Sequence, residues 1–389
     1  MNDLNIFILG AGFSVPAKLP VQNGIIKEII KPLYGESFND FEDKTSIKFL
    51  KAYINIGDYL LSMYSKNGNK IIEKEIKLLL NENKEEYGKR ELYKQLSLTA
   101  EKIRKELERI KVDISLEDIF TSFDKSFLEK EYINNYSYFK ANEINNSVKK
   151  LFSYYFSKSI QKYKFDCVDY NYFIKRLKKL KNVSIITTNW DVLLEEYFKK
   201  KNIEYDLCLN EKFYFYENEN IKNSTKVDLI KLHGSINWYK CNNCGKMIIR
   251  DESNCSNFLF NDDDKERCFV CNQVEKDIDL LESEIIAPTM LKSLRSQTYL
   301  NLWSAAKSRL LNAKQVTFIG YSLPIADFDL RYMLRNSIPT NAIINVLLTK
   351  NDKPNKYNDW LMPEKRYREL FPKNKIIFDY SGFGNYFHR

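Results

Sequence analysis

The 389-residue chain is longer than one ordinary globular domain, so its length fits one large α/β domain with insertions, or two domains. Its 61 Lys and Arg residues exceed its 52 Asp and Glu residues, giving a net charge of +9, but the two signs are interspersed. This pattern argues against an extended nucleic-acid surface, and no run approaches the roughly 18 apolar residues that cross a membrane. The opening stretch MNDLNIFILGAG has no basic leader. We therefore expect a cytoplasmic protein without a membrane segment, and direct nucleic-acid binding only as a minor alternative.

A strand followed by a glycine turn is the first predicted element. Asn5–Leu9 is apolar, and a helix is predicted from about Asn23 to Lys31. Small residues in a turn between a strand and a helix allow backbone amides to approach a diphosphate. Val15 occupies the place of the third glycine in the common dinucleotide fingerprint, so a tight turn without a ligand is the alternative. The turn, GAGFS, contains Gly10, Ala11, Gly12 and Ser14, with Phe13 between them.

The stretch 32–164 is highly charged and predicts a mostly helical insertion. Apolar residues recur every three or four positions in IIEKEIKLLL, LTAEKIRKELERI and SVKKLFSYYFSKSI. Ser115 precedes LEDIFTSF, with Asp118 three residues later, which predicts a helix start where both side chains satisfy free amides. Aromatic segments such as EYINNYSYF suit core packing or an oligomer interface equally well.

Beyond residue 165, short apolar runs alternate with helical segments. This alternation favours a Rossmann-like, doubly wound parallel sheet. With the first strand, it predicts one α/β domain formed by residues 1–31 and 165–389. The runs are VSIITT, VDLIKL, EIIAP, VTFIG, AIINVLL and KIIFDY.

Four cysteines predict a metal site within residues 238–279, a polar segment without a long apolar face. They form two CxxC pairs separated by 23 residues, slightly more than is usual for a four-thiolate zinc site. A structural Zn²⁺ would supply folding free energy here, and four thiolates leave no open position for catalysis. A redox dithiol, the alternative, needs only one pair. The predicted ligands are Cys241, Cys244, Cys268 and Cys271, whereas Cys255 is a predicted bystander and Cys167 and Cys208 are predicted ordinary thiols.

Two polar motifs follow predicted strands, at the edge where open α/β sheets bind ligands. His233 follows VDLIKL and is one of only two histidines in the chain. It is the candidate for proton transfer, although histidines near turns are more often structural. The motif TTNWD provides Thr188, Asn189 and Asp191 after another strand. Capping of the next helix would explain Asp191, but not a neutral amide at Asn189.

Taken in order, four motifs resemble the sirtuin family: GAGFS, TTNWD, LHGS followed by both CxxC pairs, and a late strand running into GYS. The resemblance covers about Leu4–Val21 and Cys167–Val346. In that family the glycine turn holds the phosphates of NAD⁺, the asparagine orders the nicotinamide ribose and the attacking species, and the histidine is the general base. The implied catalytic residues are Asn189, His233 and Asp191, and the implied NAD⁺-contacting residues are Gly10, Ala11, Gly12, Phe13, Ser14, Thr188, Gly320, Tyr321 and Ser322.

Departures from the family pattern narrow the implied activity. Protein deacylases of the family carry Gly-Ile-Pro-Asp-Phe-Arg after the glycine turn, whereas this chain reads AKLPVQNG. Because the aromatic and the arginine are missing there, the resemblance favours hydrolysis of NAD⁺ to nicotinamide and linear or cyclic ADP-ribose. A protein deacylase and a non-catalytic sensor of NAD⁺ or ADP-ribose are the alternatives.

The late motif GYSLPIADFDLRYMLR and the run IIAPTMLKS are similar to those of prokaryotic sirtuin-like effectors that consume NAD⁺ in antiphage defence. Chains of about this length without a second effector module resemble those that assemble with a HerA-type ATPase. The resemblance therefore implies that partner. Because the region between the glycine turn and the Asn motif is short in the deacylases, its enlargement here suggests a lid over the site, an oligomer interface, or both, and we expect a homo-oligomer that gates NAD⁺ entry.

Overall fold

The computed structural model describes thirteen segments of the chain and divides the chain into two compact units. The first unit is Met1–Val21, Ser159–Ser235 and Ile285–Arg389, and the second is Gln22–Lys158 and Ile236–Glu284. The domain bounds predicted from the sequence differ from these divisions and stay a prediction. The described residues are 4–21, 25–26, 46–65, 89–109, 115–209, 214–215, 227–250, 268, 270–271, 281–287, 289, 297–349 and 363–388.

The strands are short, as expected for an α/β protein. They are β1 Leu4–Leu9, β2 Val183–Thr187, β3 Tyr205–Asp206, β4 Tyr214–Phe215, β5 Val227–Lys231, β6 Gly234–Cys241, β7 Met247–Ile249, β8 Leu281–Ile285, β9 Ala313–Ile319, β10 Ile343–Leu347 and β11 Lys375–Asp379.

The α-helices include four long ones in the region predicted to be helical. They are α1 Ser46–Tyr64, α2 Lys89–Arg109, α3 Leu116–Glu129, α4 Tyr138–Lys162, α5 Val168–Lys179, α6 Leu193–Lys200, α7 Gln297–Leu311, α8 Phe328–Ser337, α9 Pro363–Leu370 and α10 Phe383–His388. Among the described segments, no helix combines the length and the apolar character needed to cross a bilayer.

A seven-stranded sheet forms the centre of the first unit, with the order β11-β10-β9-β1-β2-β5-β3. All of its neighbouring strands run parallel. The chain builds outward from β1 in both directions, which makes the sheet doubly wound and confirms the Rossmann-like α/β prediction. All five residues of β2 and the last four of β1 are buried, as expected for strands covered on both faces.

The prediction that EIIAP joins this parallel sheet is wrong. Its first residues belong to β8, which lies beside β6 in a separate, smaller sheet, where β6 also pairs antiparallel with β7. Burial alternates along β8, a pattern typical of a strand with one covered face. A short apolar run could not be distinguished from a fully covered strand by its composition alone.

Helices of the second unit confirm part of the predicted insertion. α1 packs against α2, and the rings of Tyr59 and Phe123 lie 4.8 Å apart between α1 and α3. At the start of α3, Ser115 Oγ accepts the amide of Asp118 at 3.2 Å, which confirms the hydroxyl part of the predicted cap. The predicted helix IIEKEIKLLL and most of Asn23–Lys31 lie outside the described residues.

Candidate functional site

Four neighbouring strands of the parallel sheet end at the same level. Leu9 of β1 is in register with Thr187 of β2 and with Ile319 of β9, and Thr187 is in register with Lys231 of β5. In this sheet the strands that follow β1 in the chain lie on one side of it as far as β5, and the later strands β9, β10 and β11 lie on the other side. Ligands of open α/β sheets bind outside the carboxyl ends of the strands at such a point. The residues that follow these strands are therefore the candidate site.

The glycine turns after β1 and β9 pack directly against each other. The amide of Gly12 donates to the carbonyl of Gly320 at 2.9 Å. A Cβ on Gly12 would lie 2.7 Å from Gly320 Cα, and one on Gly10 would lie 2.6 Å from Gly320 O. Gly320 also has a φ of +61°, which favours glycine. Packing of turn against turn thus explains glycine at these positions, whether or not a ligand binds.

A 3₁₀ helix at Ala11–Ala17 follows the first glycine turn directly. Pro16 lies inside it and provides no N–H donor to it. The helix ends at Lys18, whose φ of 61° is left-handed and whose amide donates to Val15 O.

Phe13 anchors this turn in the core of the first unit. Its side chain is buried, and its carbonyl accepts the hydroxyl of Tyr170 at 2.6 Å. Its ring packs edge-on against the rings of Tyr170 and Phe173. The backbone of the turn is thereby held by α5, on which both partners lie.

Asn189 lies two residues beyond β2 and contacts the glycine turn. Its Nδ2 donates to Gly10 O at 3.0 Å and to Ser14 Oγ at 3.2 Å. Its backbone amide donates to Thr187 Oγ1 at 3.0 Å. Both side-chain bonds use the amide nitrogen, so the half-buried amide oxygen is the atom best suited to meet a water or a ribose hydroxyl.

Asp191 connects the same turn to the start of α6. One carboxylate oxygen accepts Ser14 Oγ at 2.8 Å, and the other accepts the amide of Leu193, the first residue of α6, at 3.1 Å. Burial raises the pKa of Asp191, and the charge of Lys231 and the Ser14 hydroxyl oppose that rise. Ser14 therefore links the amide of Asn189 to the carboxylate of Asp191.

A buried ion pair lies beside this group. Lys231 and Glu195 are 1% and 4% exposed, and their charged atoms are 2.5 Å apart. Lys231 Nζ also donates to the carbonyl of Asp191 at 2.6 Å. Burial raises the pKa of Glu195, and the neighbouring Lys231 opposes it. The pair fixes the backbone that follows β2 to the end of β5.

His233, two residues beyond β5, is buried with 5% exposure. Its carbonyl accepts the amide of Ile286 at 2.9 Å, and the carbonyl of Ile286 accepts Trp190 Nε1 at 3.1 Å. These bonds join the segment after β5 to the segment after β2. The imidazole Nε2 lies 4.0 Å from Asp327 Oδ1, a residue of the loop between β9 and α8.

The turn after β9 contributes Gly320, Tyr321 and Ser322. The hydroxyl of Tyr321 donates to the other carboxylate oxygen of Asp327 at 2.9 Å, and burial followed by that carboxylate raises the Tyr321 pKa well above its usual value. The Tyr321 carbonyl accepts Tyr367 Oη at 2.7 Å. Ser322 is exposed at the rim.

The predicted site residues thus fall into two groups on one sheet edge. Asn189 and Asp191 join the first glycine turn through Ser14, and the amide of Thr188 donates to Leu9 O at 3.3 Å. His233 joins the late turn through Asp327 and Tyr321. Their catalytic and NAD⁺-contacting roles stay predictions.

Three residues of the site escaped the sequence analysis. Lys231 is the last residue of an apolar strand and Glu195 lies in the first turn of α6, and neither belongs to a recognised motif. Asp327 lies inside the quoted late motif, where its acidic side chain seven residues after Gly320 was the available signal.

The four predicted cysteine ligands converge in the second unit, with their sulfur atoms all within 4.8 Å of one another. Cys241 and Cys271 are 3.9 Å apart, and Cys244 and Cys268 are 3.7 Å apart. A tetrahedral Zn²⁺ with Zn–S distances of about 2.3 Å separates its sulfur ligands by about 3.8 Å. The donor set therefore fits a four-thiolate zinc site, which could hold a metal ion.

The first CxxC pair forms a tight knuckle. The amide of Gly245 donates to Cys241 O at 2.8 Å, and the amide of Cys244 approaches Cys241 Sγ at 3.5 Å. Gly245 has a φ of +69° in this turn. Backbone N–H groups directed at sulfur stabilise a thiolate ligand. Cys167 and Cys208 lie in the first unit, outside the cluster, and Cys255 lies outside the described residues.

Residues 183–364 match the family model described as the SIR2-like domain. The matched segment, just under half of the chain, begins with β2 and contains Asn189, His233, the late turn and all four clustered cysteines. No curated protein matches the chain.

Three solved structures of Sir2 or sirtuin proteins match this chain over most of its length and most of their own. A structure described as the structural basis for the mechanism and regulation of Sir2 enzymes is 11% identical, covers 100% of this chain and 90% of its own, and has a TM-score of 0.39. A Sir2 complex with an inhibitor and 2′-O-acetyl-ADP-ribose is 12% identical, covers 99% of this chain and 91% of its own, and has a TM-score of 0.38. A structure on sirtuin substrate affinity is 14% identical, covers 92% of this chain and 85% of its own, and has a TM-score of 0.35. Because these scores are low, the fold assignment depends on the sheet topology itself.

Proposed function

We propose that this chain is an NAD⁺ glycohydrolase that cleaves the nicotinamide–ribose bond of NAD⁺ to give nicotinamide and ADP-ribose. One observation carries the proposal: the glycine turn, the Asn189 amide and the His233 imidazole all follow strands that end level in one parallel sheet. The match of residues 183–364 to the SIR2-like domain supports the same assignment.

The turn residues are suited to the diphosphate and the adjoining riboses. Gly10, Ala11 and Gly12 carry no side chain larger than a methyl group, so the backbone of the turn can approach a diphosphate closely. Thr188 and the exposed Ser322 flank the two glycine turns. In this proposal Gly10, Ala11, Gly12, Phe13, Ser14, Thr188, Gly320, Tyr321 and Ser322 contact NAD⁺.

The chemical step is the addition of water to the anomeric carbon of the nicotinamide ribose. The positively charged nicotinamide leaves with the electron pair of the C–N bond, and an oxocarbenium-like ribose accepts the water oxygen. The Asn189 oxygen orders the water, because its nitrogen is already bound to the glycine turn. His233 accepts the water proton directly or through the ribose hydroxyls, and Asp191 fixes Ser14 and thereby Asn189.

The four cysteines would hold one Zn²⁺ in a structural role. Four thiolates complete a tetrahedral shell, so no position is left for a reacting water. In the proposed protein the metal stabilises the segment between β6 and β8 and takes no part in NAD⁺ cleavage.

A role in defence against bacteriophage follows from the same resemblance. The sequence GYSLPIADFDLRYMLR, which forms the turn after β9 and most of α8, is similar to that of NAD⁺-depleting defence effectors. We infer that the protein acts as such an effector, as a homo-oligomer in complex with a HerA-type ATPase. Coexpression with the neighbouring gene products, followed by measurement of cellular NAD⁺, tests this inference.

The central experiment measures nicotinamide release from NAD⁺ by the purified protein without an acylated peptide. We expect Asn189→Ala and His233→Ala to lower the rate at least about 100-fold, because each removes positioning or proton transfer. Asn312→Ala and His388→Ala are the matched controls, since both side chains lie on the surface or near the chain end. Near-normal turnover by either site variant would refute the assigned roles.

The same assay separates the alternatives. A protein deacylase releases nicotinamide only when an acyl-lysine peptide is added. A sensor binds NAD⁺ or ADP-ribose in isothermal titration calorimetry, but chromatography then finds no product in any assembly state. Peptide-independent product formation supports the glycohydrolase.

A further inference from the structure

We propose that Asp327 is a positioning residue for His233, oriented by Tyr321, and that its charge favours the Nε2–H tautomer and the protonated form of the imidazole at the proposed site. This inference deepens the glycohydrolase proposal and rests on it for the meaning of His233 as a base. The coupling between Asp327 and His233 can nevertheless be measured without NAD⁺.

The geometry places a carboxylate between an imidazole and a phenol. One oxygen of Asp327 lies 4.0 Å from His233 Nε2, and the other accepts the Tyr321 hydroxyl at 2.9 Å. The three residues are 5% to 7% exposed. They come from two places in the chain, the end of β5 and the loop after β9. An opposite charge within about 4–6 Å stabilises an imidazolium, and little solvent screens it here.

Helix capping does not account for Asp327. It occupies the N-cap position of α8, where an aspartate usually accepts an amide of the first turn. Its side chain makes no such bond and is directed to Tyr321 and His233 instead. The helix N-terminus still favours a negative charge at this position.

Tyr321 fixes which oxygen faces the imidazole. Burial, then the charge of Asp327, raises the pKa of Tyr321 well above its usual value, so the phenol keeps its proton and donates it to the carboxylate. Tyr321 is itself held by Tyr367 through its carbonyl. Arg331 of α8 acts electrostatically on Tyr321, and Arg366 of α9 donates to the carbonyl of Ser322 at 2.8 Å. Lys231, two residues before His233, is paired with Glu195.

The arrangement has a chemical consequence for the proposed base. At 4.0 Å the Asp327 carboxylate acts on Nε2 through its charge, and this charge favours the tautomer with its proton on Nε2 and its basic lone pair on Nδ1. The same charge stabilises the imidazolium that forms when His233 accepts a proton.

Histidine NMR tests the inference directly, because the chain contains only two histidines. The folded full-length protein is labelled with ¹⁵N and ¹³C in the histidine rings, and His388→Gln assigns the His233 signals. In the unsubstituted protein we expect ¹⁵N shifts of the Nε2–H tautomer at high pH. In Asp327→Asn, which retains an acceptor for Tyr321, the midpoint of the His233 titration should fall by about one pH unit or more.

Asp329→Asn is the matched control, since it makes the same substitution two residues later on α8 and should leave both the midpoint and the tautomer unchanged. In kinetic assays Asp327→Asn should lower kcat by about tenfold or more with little change in KM. An Nδ1–H tautomer in the unsubstituted protein, or an unchanged midpoint in Asp327→Asn, would overturn the inference. The tautomer measurement needs no substitution, so it decides the question even if Asp327→Asn does not fold.

The two proposals fail in different ways. A shifted His233 titration with no nicotinamide release would retain Asp327 as the partner of His233 and reject the glycohydrolase. Nicotinamide release with an unchanged titration would support the glycohydrolase and reject the role of Asp327.

Discussion

The sheet-edge site and the four-cysteine cluster both gather polar side chains from distant parts of the sequence, but by different means. At the sheet edge, each functional residue follows a strand whose apolar side chains are buried, as in β2 and β5. In the cluster, Cys241 ends β6, and the four sulfur atoms lie within 4.8 Å of one another. Buried apolar strands therefore position the site, whereas the cluster has the arrangement of ligands around a metal ion.

The difference teaches where each region gets its stability. Polar groups at the sheet edge satisfy one another, as Ser14, Asn189 and Asp191 do. Four sulfur atoms within 4.8 Å of one another fit the coordination shell of a bound cation. Changes in the two regions should consequently have effects of different size and kind.

The largest effect is expected from the loss of the metal. Cys241→Ser should reduce bound zinc from about one ion per chain to none and remove on the order of 10 kcal/mol of binding free energy from the folded module. Zinc content by mass spectrometry and hydrogen exchange at the amides of β6 and β7 measure the result. We expect those amides to lose protection.

Cys167→Ser is the control, because Cys167 lies outside the cluster in the first unit. It should retain the full zinc content. Full zinc in Cys241→Ser, or equal loss in both variants, would contradict the four-thiolate assignment.

The next largest effect is expected at the buried ion pair of the sheet edge. Lys231→Met leaves Glu195, which is 4% exposed, as an uncompensated buried acid. The free energy of unfolding should fall by about 3–5 kcal/mol. Denaturant titration at neutral pH measures it.

Two further variants test the cause of that loss. In Lys231→Met/Glu195→Leu both charges are replaced, so much of the stability should return. Lys181→Met removes an exposed lysine and should cost less than about 1 kcal/mol. A double variant as unstable as the single one would show that the loss comes from the contacts of Lys231 with Asp191 and not from an uncompensated Glu195.

Glycines provide a direct comparison of the two regions. Gly320 at the sheet edge and Gly245 in the knuckle have similar φ angles of +61° and +69°, but a Cβ on Gly320 would lie 2.2 Å from Phe13 N, while nothing lies within 4 Å of one on Gly245. Gly245→Ala should cost about 1–2 kcal/mol from backbone strain alone. Gly320→Ala adds a clash with backbone atoms and should cost more than about 3 kcal/mol. Equal losses of the free energy of unfolding in denaturant titrations would show that the turns after β1 and β9 do not pack against each other.

The sequence predicted the parts of the molecule that depend on local patterns. Continuous apolar runs identified six strands of the parallel sheet, and the two CxxC pairs identified the cluster, because both signals are contained in short stretches. The two-residue β3 carried too weak a pattern, and EIIAP was assigned to the wrong sheet. Pairing between strands depends on the whole fold and cannot be predicted from one apolar run of the sequence.

The candidate site was predicted only where a motif marked it. Asn189 and His233 belong to motifs that indicated their roles, whereas Asp327 lies in the late motif without an assigned role and the pair of Lys231 with Glu195 belongs to no motif. Their partners lie 94 and 36 positions away in the sequence. Electrostatic pairs between residues distant in the sequence produce no periodic sequence pattern, so they could be identified only from the structure.

The last prediction concerns the chemical reactivity of Cys208 in the first unit and involves no change in stability. Burial, followed by the charges of Asp228 and Asp206, raises the pKa of Cys208 to about 12. Because the thiolate is the reactive form, its fraction at pH 8 should be on the order of a thousand times lower than in an exposed thiol. Alkylation by iodoacetamide, followed by peptide mass spectrometry, should therefore be far slower at Cys208 in the folded protein than in the same protein unfolded in urea. Equal rates would show that Cys208 is a reactive thiol, and the contrast between a protonated thiol in the first unit and metal-binding thiolates in the cluster would not hold.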